Sequence, residues 1–233
     1  MNPGQAAAAF VRSHRRELIE RFASLSIYFP DEQPVSLLMA GSPGAGKTET
    51  SKRLIKRFEK SKSLPVRIDA DEIRDLFIPF GYNGSNASEF QTASTLGVQK
   101  LFDHVLEKNL NVILDTTFAY DGALQNVQRS LDHGRKVEVF YLYQDPQLAW
   151  DFTKKREALE HRNVTREVFI DSFCRARDNV REAKRRFAEA IRIYVIEKDV
   201  SKDFEKIHAD VDDIDRWLPK PYTREALENM LSK

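Results

Sequence analysis

The segment GSPGAGKT, residues 41–48, has the residue types and spacing of a phosphate-binding loop. It matches G-x-x-x-x-G-K-[ST], with the apolar run VSLLM before it and the helical pattern TETSKRLIKRFEK after it. Glycines let successive backbone N–H groups turn towards phosphate oxygens at the positive end of the following helix. We therefore predict that Lys47 contacts the outer phosphates of a nucleotide and that the Thr48 hydroxyl binds Mg²⁺. The predicted nucleotide-binding residues are Gly41, Ser42, Pro43, Gly44, Ala45, Gly46, Lys47, Thr48 and Glu49.

Acidic and basic residues follow the next apolar run, in the segment RIDADEIRD. Small-molecule kinases that use a phosphate-binding loop place a carboxylate at this strand end. There it accepts the proton of an acceptor hydroxyl, a contribution of about 10²–10⁴-fold in rate. We predict that Asp71 is this general base, that Arg74 binds the substrate, and that Asp69 caps the helix. The alternative reading is purely structural, because acids at a helix N-terminus are stabilising in themselves.

The third apolar run ends in VILDTTF, and this ending excludes two classes of nucleotide-binding protein. A GTPase switch would have D-x-x-G here, and a motor ATPase would have a second acid directly after the first. Thr116 follows Asp115 instead, and the chain contains no N-K-x-D segment. Ligands collect at the carboxyl ends of strands in such sheets. We therefore predict that Asp115 orders Mg²⁺ through water or binds the acceptor.

A break in a long helical pattern, EHRNVTRE, predicts a lid over the phosphates at about residues 150–166. Thr165 is well placed to cap the helix that follows the break. Arg156 and Arg162 flank the break from opposite sides, and Arg166 lies just beyond it. Cations stabilise charge on a phosphoryl group in transfer, by about 10³–10⁵-fold in the best cases. We predict that Arg156 and Arg162 are catalytic.

These residues need a scaffold in which strands and helices alternate, and the hydrophobic pattern supplies one. Helical stretches separate five short apolar runs, at residues 35–39, 65–68, 112–114, 137–143 and 191–196. This alternation predicts an α/β fold of the P-loop NTPase or kinase type, with a mainly parallel five-stranded sheet flanked by helices. We predict a helical N-terminal extension over 1–34, a core over 35–200 that includes the lid, and a helical tail over 201–233.

Composition limits the partners and the compartment. The formal net charge of the 233 residues is +1, so the general basic footprint of a nucleic-acid-binding protein is absent. No apolar run approaches membrane-spanning length, and early charges interrupt any signal-peptide core. Cys174, the only cysteine, cannot form an internal disulfide. We therefore expect a cytoplasmic protein that does not bind membranes, and the near-neutral charge argues against nucleic acid as a partner.

With these elements in this order, the chain resembles the zeta toxin family of P-loop kinases from about Phe10 to Ala190. The segments that carry the resemblance are AGSPGAGKT, RIDADEIRD, NVILDTT, KVEVFYLYQDP and KKREALEHRNVTREVFID. Family members use ATP and Mg²⁺ to phosphorylate a sugar hydroxyl of UDP-N-acetylglucosamine, and an antitoxin protein blocks the nucleotide site. The resemblance implies Lys47 and Thr48 for nucleotide and metal, Asp71 as base, Thr117 in the acceptor pocket, and Arg156 and Arg162 on the phosphates.

The departures from the family lie mostly in the acceptor pocket. Where the family strand ends in E-G-T-G-R, this chain reads DTTFA, so Asp115 replaces a glutamate and Ala119 replaces an arginine. A second pocket acid of the family falls on Gln99. Loss of a buried charge or donor typically costs a polar ligand a few kcal/mol. The resemblance therefore supports a kinase more strongly than it supports UDP-N-acetylglucosamine as the acceptor.

Three functions stay open at this point. The first is an ATP- and Mg²⁺-dependent kinase of the zeta toxin type, which phosphorylates a hydroxyl of a small molecule such as a UDP-N-acetyl sugar and has an antitoxin partner. The second is another small-molecule or polynucleotide kinase on the same scaffold. The third is a nucleotide-binding regulatory module without transfer activity, which docks a partner through the helix predicted at Phe10–Phe29.

Overall fold

A six-stranded sheet in the order β2-β3-β1-β4-β5-β6 lies at the centre of the fold. The computed structural model describes residues 1–59, 63–160, 163–199 and 204–231. The first five strands are parallel, and the sixth runs antiparallel to β5 at the sheet edge. The strands are β1 (Val35–Ala40), β2 (Val66–Asp69), β3 (Val112–Asp115), β4 (Lys136–Gln144), β5 (Ile191–Asp199) and β6 (Phe204–His208).

This architecture confirms the predicted α/β fold with a mainly parallel sheet flanked by helices. The sheet has one strand more than the five predicted, because β6 lies in the 201–233 segment whose pattern indicated only helices. The boundaries proposed at residues 34 and 200 stay predictions. No helix in the described ranges is long and apolar enough to cross a bilayer.

Helices cover both faces of the sheet. The single helix predicted at Phe10–Phe29 is wrong in two respects, because the segment holds the end of one helix and the whole of a second, and the second ends at Phe22. The two helices meet at His14, where the Ser13 Oγ lies 2.9 Å from the Ala9 carbonyl oxygen and competes with the backbone for that acceptor. The helices of the described residues are α1 (Pro3–Ser13), α2 (Arg15–Phe22), α3 (Lys47–Arg57), α4 (Ala70–Arg74), α5 (Gln91–Glu107), α6 (Ala123–Asp132), α7 (Pro146–Glu160), α8 (Arg166–Phe187) and α9 (Arg224–Met230).

Two apolar layers sandwich the sheet, which explains why its strands read as nearly continuous apolar runs. Along β4, Val139 and Tyr141 belong to the larger core cluster, whereas Phe140 and Leu142 belong to the smaller one. The smaller cluster includes Leu54 of α3. Because β1 to β4 are parallel, their carboxyl ends meet at one edge of the sheet, and this edge positions the candidate site.

Candidate active site

The phosphate-binding loop connects β1 to α3 and packs tightly on its surroundings. Gly41, Gly44 and Gly46 have φ angles of +134°, +73° and +84°, which side chains other than glycine rarely adopt. A Cβ at Gly44 would lie 2.0 Å from the Ala149 carbonyl oxygen of α7, and one at Gly41 would lie 2.5 Å from the Leu142 carbonyl oxygen of β4. The loop conformation therefore requires glycine at these positions for both backbone angle and space.

Lys47 begins α3, and its side chain folds over the loop. The Lys47 Nζ donates to the carbonyl oxygens of Gly41, at 2.9 Å, and Ser42, at 2.6 Å. The structure thus brings the predicted nucleotide-binding residues, 41–49, into one turn around the N-terminus of α3. A helix N-terminus with a lysine at this place is a ready anion-binding site.

Asp115 ends β3 and is held by two residues that the sequence did not single out. The Asp115 Oδ2 lies 2.7 Å from the Ser51 Oγ, and it accepts from Arg67 at 3.0 Å from the Nε and 2.6 Å from the Nη2. The Ser51 Oγ also lies 2.9 Å from the Thr48 carbonyl oxygen. Asp115, predicted to order the metal, is thereby linked through Ser51 to the backbone of Thr48, the other predicted metal residue.

Asp69 is the register partner of Asp115 on the neighbouring strand β2. Its Oδ1 accepts from the Asp71 backbone N–H at 2.9 Å, which confirms the predicted helix cap of α4. Its Oδ2 accepts from the Arg67 Nη2. Burial, together with the neighbouring carboxylates of Asp71 and Asp115, raises the pKa of Asp69 to about 6.

Asp71, the predicted base, lies in the first turn of α4, and its side chain is 25% exposed. Arg74, one turn further on, donates to the Asp71 Oδ1 and is itself buried. The Arg74 Nη2 also donates to the Gln91 Oε1 of α5 at 2.7 Å, a contact that no sequence pattern indicated. Within the described residues, the buried Arg74 Nε has no hydrogen-bond partner. The carboxylate is therefore both oriented by a cation and accessible to a substrate.

The other predicted pocket residues lie at different distances from the loop. The Thr117 carbonyl oxygen accepts from the Gly41 backbone N–H at 3.1 Å, so the end of β3 contacts the phosphate-binding loop directly. The Thr117 Oγ1 accepts from the Ala119 backbone N–H at 3.3 Å. Gln99 is exposed on α5, about two turns beyond Gln91. Thr117 thus adjoins the loop, whereas the structure records Gln99 as an exposed helix position.

The structure describes most of the segment predicted to form the lid, at about residues 150–166, except residues 161 and 162. Thr165 caps α8 as predicted, by accepting from the Val168 backbone N–H at 3.3 Å. Arg156 is exposed on α7, three residues after Thr153, whose Oγ1 lies 2.8 Å from where a Gly44 Cβ would be. Residues three apart share a helix face, so Arg156 continues the face that contacts the loop. Arg162 lies outside the described residues.

Lys198 of β5 contacts the end of the phosphate-binding loop and the first turn of α3, and no sequence pattern had indicated it. Its Nζ donates to the Gly46 carbonyl oxygen at 3.2 Å and to the Thr50 Oγ1 at 3.0 Å. Burial lowers the pKa of Lys198, and Glu205 of β6 faces it at 3.8 Å. This contact depends on the sheet order, which brings β5 beside α3, so no local signal could have indicated it.

The donor set at this edge suits Mg²⁺. A hydroxyl at Thr48 and a carboxylate at Asp115 are hard oxygen ligands, which Mg²⁺ prefers, usually with substrate phosphates completing the shell. No group of three or more His, Cys, Asp or Glu side chains in the part of the chain described could hold a metal ion by itself. The residues therefore fit a metal that is bound together with a nucleotide.

A phosphate-binding loop at the carboxyl edge of a parallel sheet, with a carboxylate at the end of the neighbouring strand, defines a P-loop fold of the kinase type. Residues 20–209 match the family described as Zeta toxin, and the chain belongs to this family. The resemblance seen in the sequence is thus confirmed.

Solved structures support the same fold. A structure from the PezAT chromosomal toxin–antitoxin system of Streptococcus pneumoniae aligns with a TM-score of 0.65 at 15% identity, over 94% of this chain and 86% of the other. The AvrRxo1-ORF1:-ORF2 complex aligns with a TM-score of 0.68 at 13% identity, over 84% of this chain and 66% of the other. At these identities the likeness establishes the fold alone. Among curated proteins, no sequence match to the chain was found.

Proposed function

We propose that the protein is an ATP- and Mg²⁺-dependent phosphotransferase that moves the γ-phosphate of ATP to a hydroxyl group of a small molecule. The observation that carries this proposal is the position of Asp71. Its partly exposed carboxylate lies in the first turn after β2, oriented by Arg74, at the edge of the sheet where the phosphate-binding loop begins. A regulatory module that only binds nucleotide has no need of such a carboxylate.

Nucleotide binding rests on the loop and the start of α3. Backbone N–H groups of the loop and of the first turn of α3 donate to the phosphates, and Lys47 exchanges its contacts with the Gly41 and Ser42 carbonyl oxygens for phosphate oxygens. Thr48 and Asp115 would hold Mg²⁺, Asp115 through water. When bound, the metal neutralises charge on the outer phosphates and fixes their orientation.

In the transfer step, Asp71 accepts the proton of the acceptor hydroxyl as the hydroxyl oxygen forms its bond to the γ-phosphorus. The bond between that phosphorus and the bridging oxygen breaks, and ADP leaves with the electron pair. Arg156 and Arg162 of the lid stabilise the negative charge on the transferring group. Arg74 keeps the Asp71 carboxylate oriented.

The acceptor we propose is a hydroxyl of a UDP-N-acetyl sugar, in a pocket that includes Thr117, Asp115 and Gln99. Membership in the zeta toxin family supports this acceptor. In this chain Asp115 replaces the glutamate of the family pocket and is paired with Arg67, so its contact with the acceptor differs from that of the family. We further propose an antitoxin protein as a partner, in view of the toxin–antitoxin system named for one structural neighbour. Dependence on ATP favours a cytoplasmic location.

The test uses ATP with a labelled γ-phosphate, Mg²⁺, and either a metabolite extract or UDP-N-acetylglucosamine alone. Mass spectrometry then identifies any phosphorylated product. We expect one small-molecule class to gain phosphate with the intact protein and none to gain it with Lys47→Ala. Label in the UDP-sugar supports the specific acceptor, and label in another metabolite replaces it. A protein that binds ATP but labels nothing in either mixture contradicts transferase activity.

A further inference from the structure

Arg67 occupies an unusual position for an arginine. It lies on β2, the strand at one edge of the sheet, and yet its side chain is only 8% exposed. Its neighbours Val66 and Ile68 face the larger core, so Arg67 points to the opposite face of the sheet, where α3 packs. An arginine buried in this way has to satisfy several donors locally.

The acids at the ends of two strands satisfy these donors. The Arg67 Nε and Nη2 both donate to the Asp115 Oδ2, and the Nη2 also donates to the Asp69 Oδ2. The Nε lies 3.0 Å from the Ser51 Oγ, and the Nη1 pairs with Glu72, whose side chain is half exposed. One guanidinium thus joins the ends of β2 and β3 to the second turn of α3.

The two buried acids need this cation. As register partners on adjacent strands, Asp69 and Asp115 have backbones about 4.8 Å apart. Two carboxylates this close repel each other unless a cation lies between them. The planar fork of an arginine can bind both carboxylates at fixed angles, whereas a lysine offers only a point charge.

We infer that Arg67 is a positioning residue for the transfer reaction, which fixes Asp115 beside Thr48 for the metal and fixes Asp69 beneath the backbone of Asp71. This inference rests on the proposed function. The hydrogen bonds to the Asp115 carboxylate are asymmetric. All three donors reach the Oδ2, and the described residues provide no donor to the Oδ1. The Oδ1 is therefore the oxygen that Asp115 presents to a metal-bound water.

The contact between Arg67 and Asp69 also affects the proposed base, Asp71. The Asp69 Oδ1 caps the Asp71 N–H, while the Asp69 Oδ2 is held by Arg67. Release of the Oδ2 frees the Asp69 side chain to rotate, and the first turn of α4 loses its fixed position. Asp71, which sits in that turn, then loses its alignment with the loop.

The test measures ATP affinity by calorimetry, with Mg²⁺ and with a chelator, for the intact protein, Arg67→Gln and Arg67→Lys. Outer-shell partners of metal ligands are typically worth 10–100-fold, so we expect the Mg²⁺-dependent gain in ATP affinity to fall by about tenfold in Arg67→Gln. Affinity in the chelator should change little. Arg67→Lys should recover part of the gain, because it restores the charge without the fork.

Arg53→Gln is the matched control. Arg53, on α3, likewise donates to a carboxylate, that of Glu205, but its side chain is 54% exposed. We expect it to keep the full Mg²⁺ effect. In the transfer assay, Arg67→Gln should lower kcat and leave the KM for the acceptor nearly unchanged.

A merely structural role for Arg67 predicts a different pattern. A folded Arg67→Gln protein with the Mg²⁺ dependence of the intact protein overturns the inference, as does an equal loss in Arg53→Gln. If Arg67→Gln does not fold, Arg67→Lys decides: unchanged Mg²⁺ dependence overturns the inference, and partial loss supports it. Because the calorimetry needs no acceptor, a failure to detect transfer contradicts only the proposed function.

Discussion

Asp69 and Asp115 are register partners at the carboxyl ends of two neighbouring parallel strands, and Arg67 donates to both of their carboxylates. The three residues form a buried ionic cluster directly beside the candidate base. The cation does not fully offset the burial of Asp69 and the repulsion from the carboxylates of Asp71 and Asp115, and the pKa of Asp69 is therefore raised to about 6. Burial of this cluster therefore lowers the free energy of unfolding, while the cluster keeps Asp71 and Asp115 in position.

The raised pKa of Asp69 predicts how stability depends on pH. The folded state keeps the Asp69 proton up to about pH 6, whereas the unfolded chain releases it near 3.8. As pH rises between these values, the unfolded state binds fewer protons than the folded state, so this residue lowers the free energy of unfolding. The effect reaches about 3 kcal/mol at most.

Asp69→Asn removes this titration and keeps a side-chain oxygen for the Asp71 N–H. We expect the free energy of unfolding of the variant, relative to the intact protein, to increase as pH rises from about 4 to about 7. Urea unfolding at several pH values measures the difference, with Asp75→Asn, an exposed acid of the same segment, as control. Parallel stability curves for the intact protein and Asp69→Asn would refute the prediction.

Gly44→Ala tests whether the loop depends on its contact with α7. The new Cβ would lie 2.0 Å from the Ala149 carbonyl oxygen, so the loop and α7 must separate. Gly134→Ala is a matched control, because Gly134 has a similar φ of +65° but nothing within 4 Å of its Cβ position. Left-handed strain alone costs about 1–2 kcal/mol, and we expect only this loss in the control.

For Gly44→Ala we expect a larger loss of stability, and ATP affinity reduced below detection. Thermal unfolding and calorimetry measure the two quantities. If both glycine variants behave alike, the contact with Ala149 contributes nothing and the loop tolerates displacement.

Much of the fold was predictable because its signals are local. The strand, the glycine loop and the helix around Lys47 follow from adjacent residues, as does the cap of α4 by Asp69. The break between α1 and α2 was missed because the apolar spacing continues across it. The strand β6 was missed because an edge strand with polar alternation resembles a loop or a helix in sequence alone.

The residues of the candidate site could be predicted only where a local sequence motif marks them. Asp71 and Asp115 were predicted from their place after a strand, and Thr117 from the family resemblance, without knowledge of their neighbours. The roles of Arg67 and Lys198 depend on strand order and register, which join residues 48 and 152 positions apart in sequence. Such contacts are set by the packing of the whole sheet and leave no mark on the local sequence.

Asp71→Asn tests the proposed base directly. The amide keeps the size of the side chain and a contact with Arg74, but it cannot take the proton of an acceptor hydroxyl. We expect kcat for transfer to fall by about 10²–10⁴-fold, with ATP affinity within a factor of about two of the intact protein. Asp75→Asn, in the same segment, should leave both unchanged. Normal turnover by the Asp71→Asn protein would show that the base lies elsewhere.

Arg156→Met tests the lid separately from the base. Arg156 lies on the face of α7 that Thr153 presents to the loop, so its guanidinium can reach the transferring phosphoryl group when the lid approaches. Removal of such a cation should lower kcat by about 10³-fold and change the KM for the acceptor little, because the charge it stabilises develops only during transfer. Lys155→Met removes the neighbouring cation, which lies over the Phe152 ring, and should keep nearly full activity. Equal losses in the two variants would indicate a general electrostatic effect of α7 rather than a specific contact by Arg156.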